Sequence, residues 1–126
     1  MGNNVALGDK GQKHAEDYLQ QAGYAILATG YRRQRCEIDI IARKDTYTVF
    51  IEVKTRRSLR YGAPREAVTP AKQRHIIQAA WAYVAEQGLT GDMRFDVIEV
   101  IVSKQANQEN QNEYQIEHLA NAFQLS

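Results

Sequence analysis

The 126-residue chain contains a single cysteine, Cys36, only two prolines and no long hydrophobic run. One cysteine cannot form an internal disulfide, which is typical of proteins in a reducing compartment. No apolar segment approaches the roughly 20 residues that cross a bilayer, and the first residues lack the basic start and apolar stretch of a signal peptide. We therefore expect one cytoplasmic domain over residues 1–126 with no membrane partner.

Excess charge of one sign is also nearly absent from the chain as a whole, because its net charge is +1. The distribution is nevertheless uneven. Between Tyr31 and Arg74 there are twelve Lys and Arg against five Asp and Glu, and the rest of the chain carries four basic and ten acidic residues. A basic segment of this kind predicts a polyanionic partner. The alternative is that these side chains only solvate strand ends and loops.

The hydrophobic pattern predicts an α/β domain with a mixed sheet and the element order α-β-β-β-α-β. A helix over residues 9–22 has an apolar stripe at helical spacing. A second helix begins at Thr69 and Pro70 and ends at Gly88. Strands are predicted at 24–33, 36–43, 47–56 and 94–102, followed by a flexible polar loop at about 103–113, a short edge strand at 114–117 and a final turn or short helix at 118–123.

Two of these strands carry acidic side chains among apolar ones, in Glu37-Ile38-Asp39-Ile40-Ile41-Ala42 and Val49-Phe50-Ile51-Glu52-Val53-Lys54. Carboxylates inside such strands are costly unless they are paired or bind a metal. If the strands form a hairpin about the turn at 44–46, Asp39 and Glu52 can lie side by side. Lys54 then shares a face with Glu52, because side chains alternate along a strand.

Two carboxylates and an amine on a rigid sheet are the groups that Mg²⁺-dependent cleavage of a phosphodiester requires. Asp39 and Glu52 supply oxygen ligands, and the backbone carbonyl of Val53 points toward the same neighbourhood. Lys54 can orient the attacking water or stabilise the developing negative charge. Glu16, on the first helix, can add a ligand directly or through water. The alternatives are a surface salt bridge for the three strand residues and an ordinary helix-surface position for Glu16.

A further set of short sequence motifs is distributed over nearly the whole chain, apart from 103–113 and the ends. Its segments are Gly11, Ala15-Glu16-Asp17-Tyr18-Leu19, Gly23-Tyr24-Ala25-Ile26-Leu27, Tyr31-Arg32, the two acidic strands with Thr55-Arg56, Tyr61-Gly62-Ala63-Pro64, Glu66-Ala67-Val68, Arg94-Phe95-Asp96-Val97-Ile98 and Asn121-Ala122-Phe123. They resemble the YraN family of predicted bacterial endonucleases. The spacing from Asp39 to Glu52-Val53-Lys54 resembles the core of the PD-(D/E)XK nuclease superfamily, which includes archaeal Holliday-junction resolvases.

The resemblance implies a restriction-endonuclease-like core, with Mg²⁺ or Mn²⁺ held by Asp39, Glu52 and the Val53 carbonyl. It implies catalytic roles for Asp39, Glu52 and Lys54, with Glu16 in support, in the hydrolysis of structured or branched DNA. Junction-cutting relatives act as dimers, because two symmetric nicks need two sites, so the analogy extends to a homodimer. The rival interpretation is a nucleic-acid-binding module that keeps the nuclease fold and does not cut.

Basic residues around the acidic strands are candidates for phosphate contacts, which give affinity without reading sequence. They are Arg32, Arg33, Arg56, Arg57, Arg60, Arg65 and Lys72, the last of which the resemblance places toward the site. We expect Glu37 to pair with Arg32, Arg33 or Arg35 rather than to bind metal. Phosphate chemistry alone does not distinguish DNA from RNA.

Overall fold

The computed structural model describes residues 2–57, 68–104 and 112–124, with two helices and five strands in these ranges. In chain order they are α1 (Gly2–Gln21), β1 (Ala25–Arg33), β2 (Cys36–Lys44), β3 (Tyr47–Arg57), α2 (Pro70–Gln87), β4 (Asp92–Lys104) and β5 (Asn112–Phe123). None of the helices described is long and apolar enough to cross a bilayer.

The five strands form one mixed sheet in the order β1-β2-β3-β4-β5. Neighbouring strands are antiparallel except for β3 and β4, which are parallel and are joined by the crossover through α2. Each face of the sheet has its own core. On the α1 side, Ala15 and Leu19 pack on alternate residues of the central strands, and on the α2 side Phe50, Phe95 and the helix residues pack together. The α/β architecture with a mixed sheet and flanking helices is confirmed.

Helix α2 follows its sequence signals closely. The Thr69 side chain accepts a hydrogen bond from the Lys72 backbone N–H, which satisfies one of the free donors at the helix start. Pro70 occupies the first turn, where its missing N–H costs nothing. Gly88 ends the helix with φ of 63°, a left-handed conformation that favours glycine. The predicted bounds of this helix are confirmed.

The C-terminal part of the chain differs from the prediction. Strand β5 runs from Asn112 to Phe123 at the edge of the sheet, which confirms the edge strand predicted at 114–117. The turn or short helix expected at 118–123 is wrong. Leu119 and Phe123 pair with β4 and pack on the α2-side core, and this long-range pairing outweighs a weak local pattern. The predicted loop at 103–113 is also shorter at both ends, because β4 runs to Lys104 and β5 begins at Asn112. Helix α1 begins at Gly2 instead of residue 9.

Helix α1 crosses the sheet over β3 at close range. A Cβ atom at Gly11 would overlap the Thr55 side chain, so the absence of a side chain at this position permits the approach. The next residue, Gln12, donates a hydrogen bond of 3.5 Å to the backbone carbonyl of Asp39 on β2. This part of α1 therefore lies over the region where β2 and β3 carry their acidic residues.

A buried carboxylate, Asp96 on β4, connects α1, β4 and β5. It is fully buried and accepts hydrogen bonds from the Arg94 side chain and, at 2.9 Å, from the Asn121 backbone N–H. His118 Nε2 lies 2.7 Å from Asp96 Oδ2, and Nε2 is the donor because an ionised carboxylate only accepts. The other ring nitrogen of His118 contacts the Tyr18 hydroxyl at 2.8 Å. This network fixes the edge strand and α1 on the sheet.

Candidate active site

Strands β2 and β3 separate at the position of the two acidic residues. The last pair in their ladder is Ile40–Ile51, so Asp39 and Glu52 are the next residues in register on either side of the opening. Asp39 Oδ2 accepts a 2.8 Å hydrogen bond from the Val53 backbone N–H, which takes the place of a main-chain partner on β2. The hairpin predicted from the sequence is present, and it brings Asp39 to the segment that contains Glu52.

The Val53 carbonyl faces the same opening. The N–H and C=O of one residue point to the same side of an extended strand, and the Val53 N–H points toward Asp39. Since the ladder with β2 has ended at Ile51, the Val53 oxygen lies on the side where β2 no longer pairs. This is the position from which the sequence predicts a backbone ligand.

Glu52 is 8% exposed, and its two oxygens have different surroundings. Oε1 receives a 2.5 Å hydrogen bond from the Lys72 ammonium group. Oε2 is buried and has no hydrogen-bond partner in the described part of the chain. A buried carboxylate oxygen without a hydrogen bond destabilises the folded protein unless a counter-charge or a bound cation lies close to it. The chain thus presents one unsatisfied anionic oxygen at the opening between the strands.

Lys72 reaches Glu52 from the first turn of α2. The sequence assigned Lys72 to phosphate contacts, and the structure places it on the predicted metal ligand. Helix N-termini favour anions and disfavour cations, because the helix dipole is positive there. A lysine three residues after the Thr69 cap is therefore a sequence signal for a nearby acid, although it does not identify which acid.

The Asp39 carboxyl has a pKa raised from 3.8 to about 6. Burial is the main cause, and the neighbouring negative charge of Glu52 raises the pKa further. The hydrogen bond from Val53 and the charge of Lys72 act in the opposite direction without cancelling the shift. Two carboxylates held together in this way favour either a proton or a bound cation.

We expect Asp39→Asn to stabilise the metal-free protein at neutral and alkaline pH. The folded pKa lies above the ordinary value, so the stability that Asp39 contributes is complete below about pH 4 and is lost as pH rises through about 6. At about pH 8 the asparagine variant should be more stable by about 1–3 kcal/mol, and the gain should shrink toward about pH 5. Urea denaturation in EDTA at the two pH values measures this difference.

The matched control for this stability prediction is Glu37→Gln on the same strand. Glu37 is exposed and pairs with Arg32 at 2.8 Å. Its replacement should change stability little at either pH. An Asp39→Asn variant that is no more stable than wild type at the higher pH would contradict the raised pKa.

Lys54 lies two residues beyond Glu52 on β3 and therefore on the same face of the sheet. A concavity of about 340 Å³ begins at Lys54 and is also lined by Thr55, Arg56 and Glu99. Glu99, on β4, is 2% exposed and pairs in register with Lys54. Sequence reasoning missed Glu99, although an acidic residue in the apolar run of β4 is itself a signal. Arg56 lies 3.6 Å from Glu99.

Glu16 is connected to the site through Gln12. The Gln12 amide lies 3.5 Å from a Glu16 oxygen and donates to the Asp39 carbonyl at the same distance. The structure therefore places Glu16 near the backbone of Asp39, whereas its role as a metal ligand stays a prediction. Within residues 2–57, 68–104 and 112–124, no group of three or more His, Cys, Asp or Glu side chains is arranged to hold a metal.

The remaining basic candidates within the described residues have different partners. Arg32 pairs with Glu37, as predicted, and Arg33 pairs with Glu86 at 2.9 Å. Both pairs are exposed, and exposed ion pairs contribute only about 0–1 kcal/mol. The role of Arg32 and Arg33 in phosphate contacts stays a prediction. Arg57 is exposed at the end of β3. Arg60 and Arg65 lie outside the described residues.

The donor set fits a small divalent cation. Two carboxylates and one backbone carbonyl are oxygen ligands of the kind that Mg²⁺ and Mn²⁺ accept together with water. A cation would bind the unsatisfied Glu52 oxygen. It would also reduce the charge repulsion between Glu52 and Asp39. One contact opposes this fit, because Lys72 already neutralises the other Glu52 oxygen.

Residues 11–100 match the model of the Uncharacterised protein family UPF0102. The chain belongs to this family. It is 47% identical over 119 residues to a UPF0102 protein of Chlorobium phaeobacteroides strain DSM 266, covering 94% of this chain and 93% of the relative. It is 45% identical over 125 residues to the UPF0102 protein of Geobacter metallireducens, covering 98% and 97%. The UPF0102 membership confirms the YraN part of the sequence resemblance, and the names of these relatives state no activity.

Proposed function

We propose that this UPF0102 protein is a Mg²⁺- or Mn²⁺-dependent endonuclease that hydrolyses phosphodiester bonds in structured or branched DNA. The observation that carries the proposal is the convergence of Asp39, Glu52 and the Val53 carbonyl where β2 and β3 separate, with one buried Glu52 oxygen lacking a hydrogen bond in the described chain. The basic segment from Tyr31 to Arg74 supports a polyanionic substrate.

The reaction is an in-line displacement at phosphorus. The oxygen of a water attacks the phosphorus as that water loses a proton, the bond to the leaving sugar oxygen breaks, and the sugar oxygen receives a proton. Asp39, Glu52 and the Val53 carbonyl would hold the metal, which would supply charge neutralisation and an activated water. Because Lys54 shares the face of Glu52, its ammonium group can orient the attacking water and stabilise negative charge on the phosphate oxygens.

Lys72 has a second role in this proposal. Its ammonium group compensates Glu52 in the metal-free protein. With a divalent cation held by Glu52, the Lys72 ammonium group would be available for a phosphate oxygen, since its side chain is 46% exposed. This exchange accounts for a lysine at a helix start, where the helix dipole opposes it.

The same contact favours the second candidate, a nucleic-acid-binding module without catalysis. If Lys72 neutralises Glu52 permanently, the fold keeps its basic surface and the acids serve only structure. A nuclease panel separates the two candidates and also tests DNA against RNA. Linear, flapped, forked and four-way DNA and a matching RNA are incubated with Mg²⁺ or Mn²⁺ and with EDTA.

We expect metal-dependent cleavage of a branched DNA, and none in EDTA. The control protein is Glu52→Gln, which excludes a contaminating nuclease. Binding of the same substrates without any metal-dependent cleavage would favour the non-catalytic module, and cleavage restricted to RNA would replace the DNA assignment. A homodimer and a cytoplasmic location stay predictions from the sequence.

A further inference from the structure

A groove of about 590 Å³ lies between the β1–β2 turn and helix α2. The turn contributes Arg33, Gln34, Arg35 and Cys36, and the helix contributes His75 and Gln78. Its volume is that of pockets for small organic ligands, which corresponds to roughly one or two nucleotides of a strand. The groove is therefore too small for the full width of a duplex.

The polar side chains that line the groove carry hydrogen-bond donors, which can bind phosphate oxygens. Two guanidinium groups, two amides and an imidazole line it, and none of the described lining residues is acidic. Arg35 and Gln78 are exposed. Arg33 is paired with Glu86, but that ion pair is about half exposed on both sides and can exchange for another anion.

The groove lies next to the candidate active site. Cys36 lies at the junction, and the charges of Glu52, Lys72 and Asp39 all act on its thiol. On α2, Lys72 and His75 are three residues apart, which places them on one helix face about 4.5 Å apart along the axis. Lys72 contacts Glu52, and His75 lines the groove. One row of side chains thus leads from the acidic residues into the basic groove.

The turn itself has an unusual sequence for its geometry. Arg33 and Cys36 pair across it, so Gln34 and Arg35 form a two-residue loop. Gln34 has φ of 54°, a left-handed conformation that Asn or Gly adopts at lower cost. A long polar side chain at a position that favours Gly or Asn is consistent with a contact to a ligand.

We propose that this groove binds the phosphate backbone of a single strand next to the bond that is cut, so that the substrate is branched DNA with a single-stranded arm. The inference rests on the proposed function, because it assigns the groove to the substrate of that site. Phosphate contacts of this kind position the strand without reading its sequence. Lys72 and His75 set the path along which the strand leaves the site.

The test measures binding of a fluorescein-labelled DNA single strand in EDTA by anisotropy, over a series of salt concentrations. Arg35→Gln should weaken binding by about 3- to 10-fold. It should also lower the slope of log affinity against log salt by about 0.7, which is the value for one neutralised phosphate on a single strand. The double variant Arg33→Gln with Arg35→Gln should lower the slope by about 1.4.

The matched control is Arg74→Gln, which removes the same charge from an exposed residue beside His75 that does not line the groove. It should leave the slope close to wild type. Melting temperatures of all variants verify that they fold. An Arg35→Gln slope equal to that of Arg74→Gln, or no binding of the single strand by wild type, overturns the groove assignment.

Cleavage is measured separately in Mg²⁺ or Mn²⁺, so the two proposals fail in different ways. If the wild-type protein cuts branched DNA and the Arg35→Gln variant binds the single strand as wild type does, only the groove assignment is contradicted. If binding depends on Arg35 but the protein cuts none of the DNA substrates, the nuclease assignment is contradicted and the groove assignment is supported.

Discussion

Asp39→Asn and Glu52→Gln should each lower the rate of metal-dependent cleavage by about 10³-fold or more. Each variant replaces an anionic oxygen at the opening between β2 and β3 with a neutral group of the same size. Metal ions contribute several kcal/mol to such reactions, and about 1.4 kcal/mol corresponds to a factor of ten in rate. Single-turnover cleavage of a branched DNA measures the loss. Lys54→Ala should lower the rate too, while keeping the fold.

Glu37→Gln is the control for these variants. Glu37 lies on the same strand as Asp39, two residues away, but it is exposed and pairs with Arg32. Its replacement removes one negative charge and should leave the rate within a few-fold of wild type. Full activity in Asp39→Asn or Glu52→Gln would remove that residue from the site.

Asp96→Ala should destabilise the fold by about 3–5 kcal/mol, the cost of removing one partner from a buried ion pair. The variant leaves the Arg94 guanidinium, the His118 ring and the Asn121 N–H without their shared acceptor. Burial opposes ionisation of Asp96, but the hydrogen bonds from His118 and Arg94 outweigh it and hold its pKa below the ordinary value. Urea denaturation at neutral pH measures the loss.

Tyr18→Phe provides the comparison for the Asp96 network. It removes only the hydroxyl contact with His118 and should cost about 1 kcal/mol. Because the folded pKa of Asp96 is depressed, the stability it contributes is present above the ordinary value of 3.8 and is lost as pH falls below it. An Asp96→Ala variant as stable as Tyr18→Phe would contradict the structural role assigned to this carboxylate.

The helices and the first four strands could be predicted because their signals are local. Thr69, Pro70 and Gly88 mark α2 through capping and backbone preferences that act within one turn. The extension of strand β5 beyond the predicted 114–117 depends instead on pairing with β4 and on the packing of Leu119 and Phe123 against the core. Such contacts join residues that a polar segment separates in the sequence, so local sequence periodicity does not predict them.

The candidate site was predictable only in part for the same reason. Acidic residues within apolar strands mark Asp39 and Glu52, and the hairpin sets their register. The contact of Lys72 with Glu52 spans twenty residues and depends on how α2 packs. The position of Glu99 beside Lys54 depends on the parallel pairing of β3 with β4, which the order of elements leaves open.

The central claim is that Asp39 and Glu52 hold a divalent cation, and a Mn²⁺ titration followed by thermal unfolding tests it most directly. A ligand that binds only the folded state stabilises it, so the melting temperature of the wild-type protein should rise by several degrees at millimolar Mn²⁺. Glu52→Gln should show no rise, and Glu37→Gln should match wild type. A wild-type melting temperature that stays constant across the titration would contradict the metal site and the hydrolysis that depends on it.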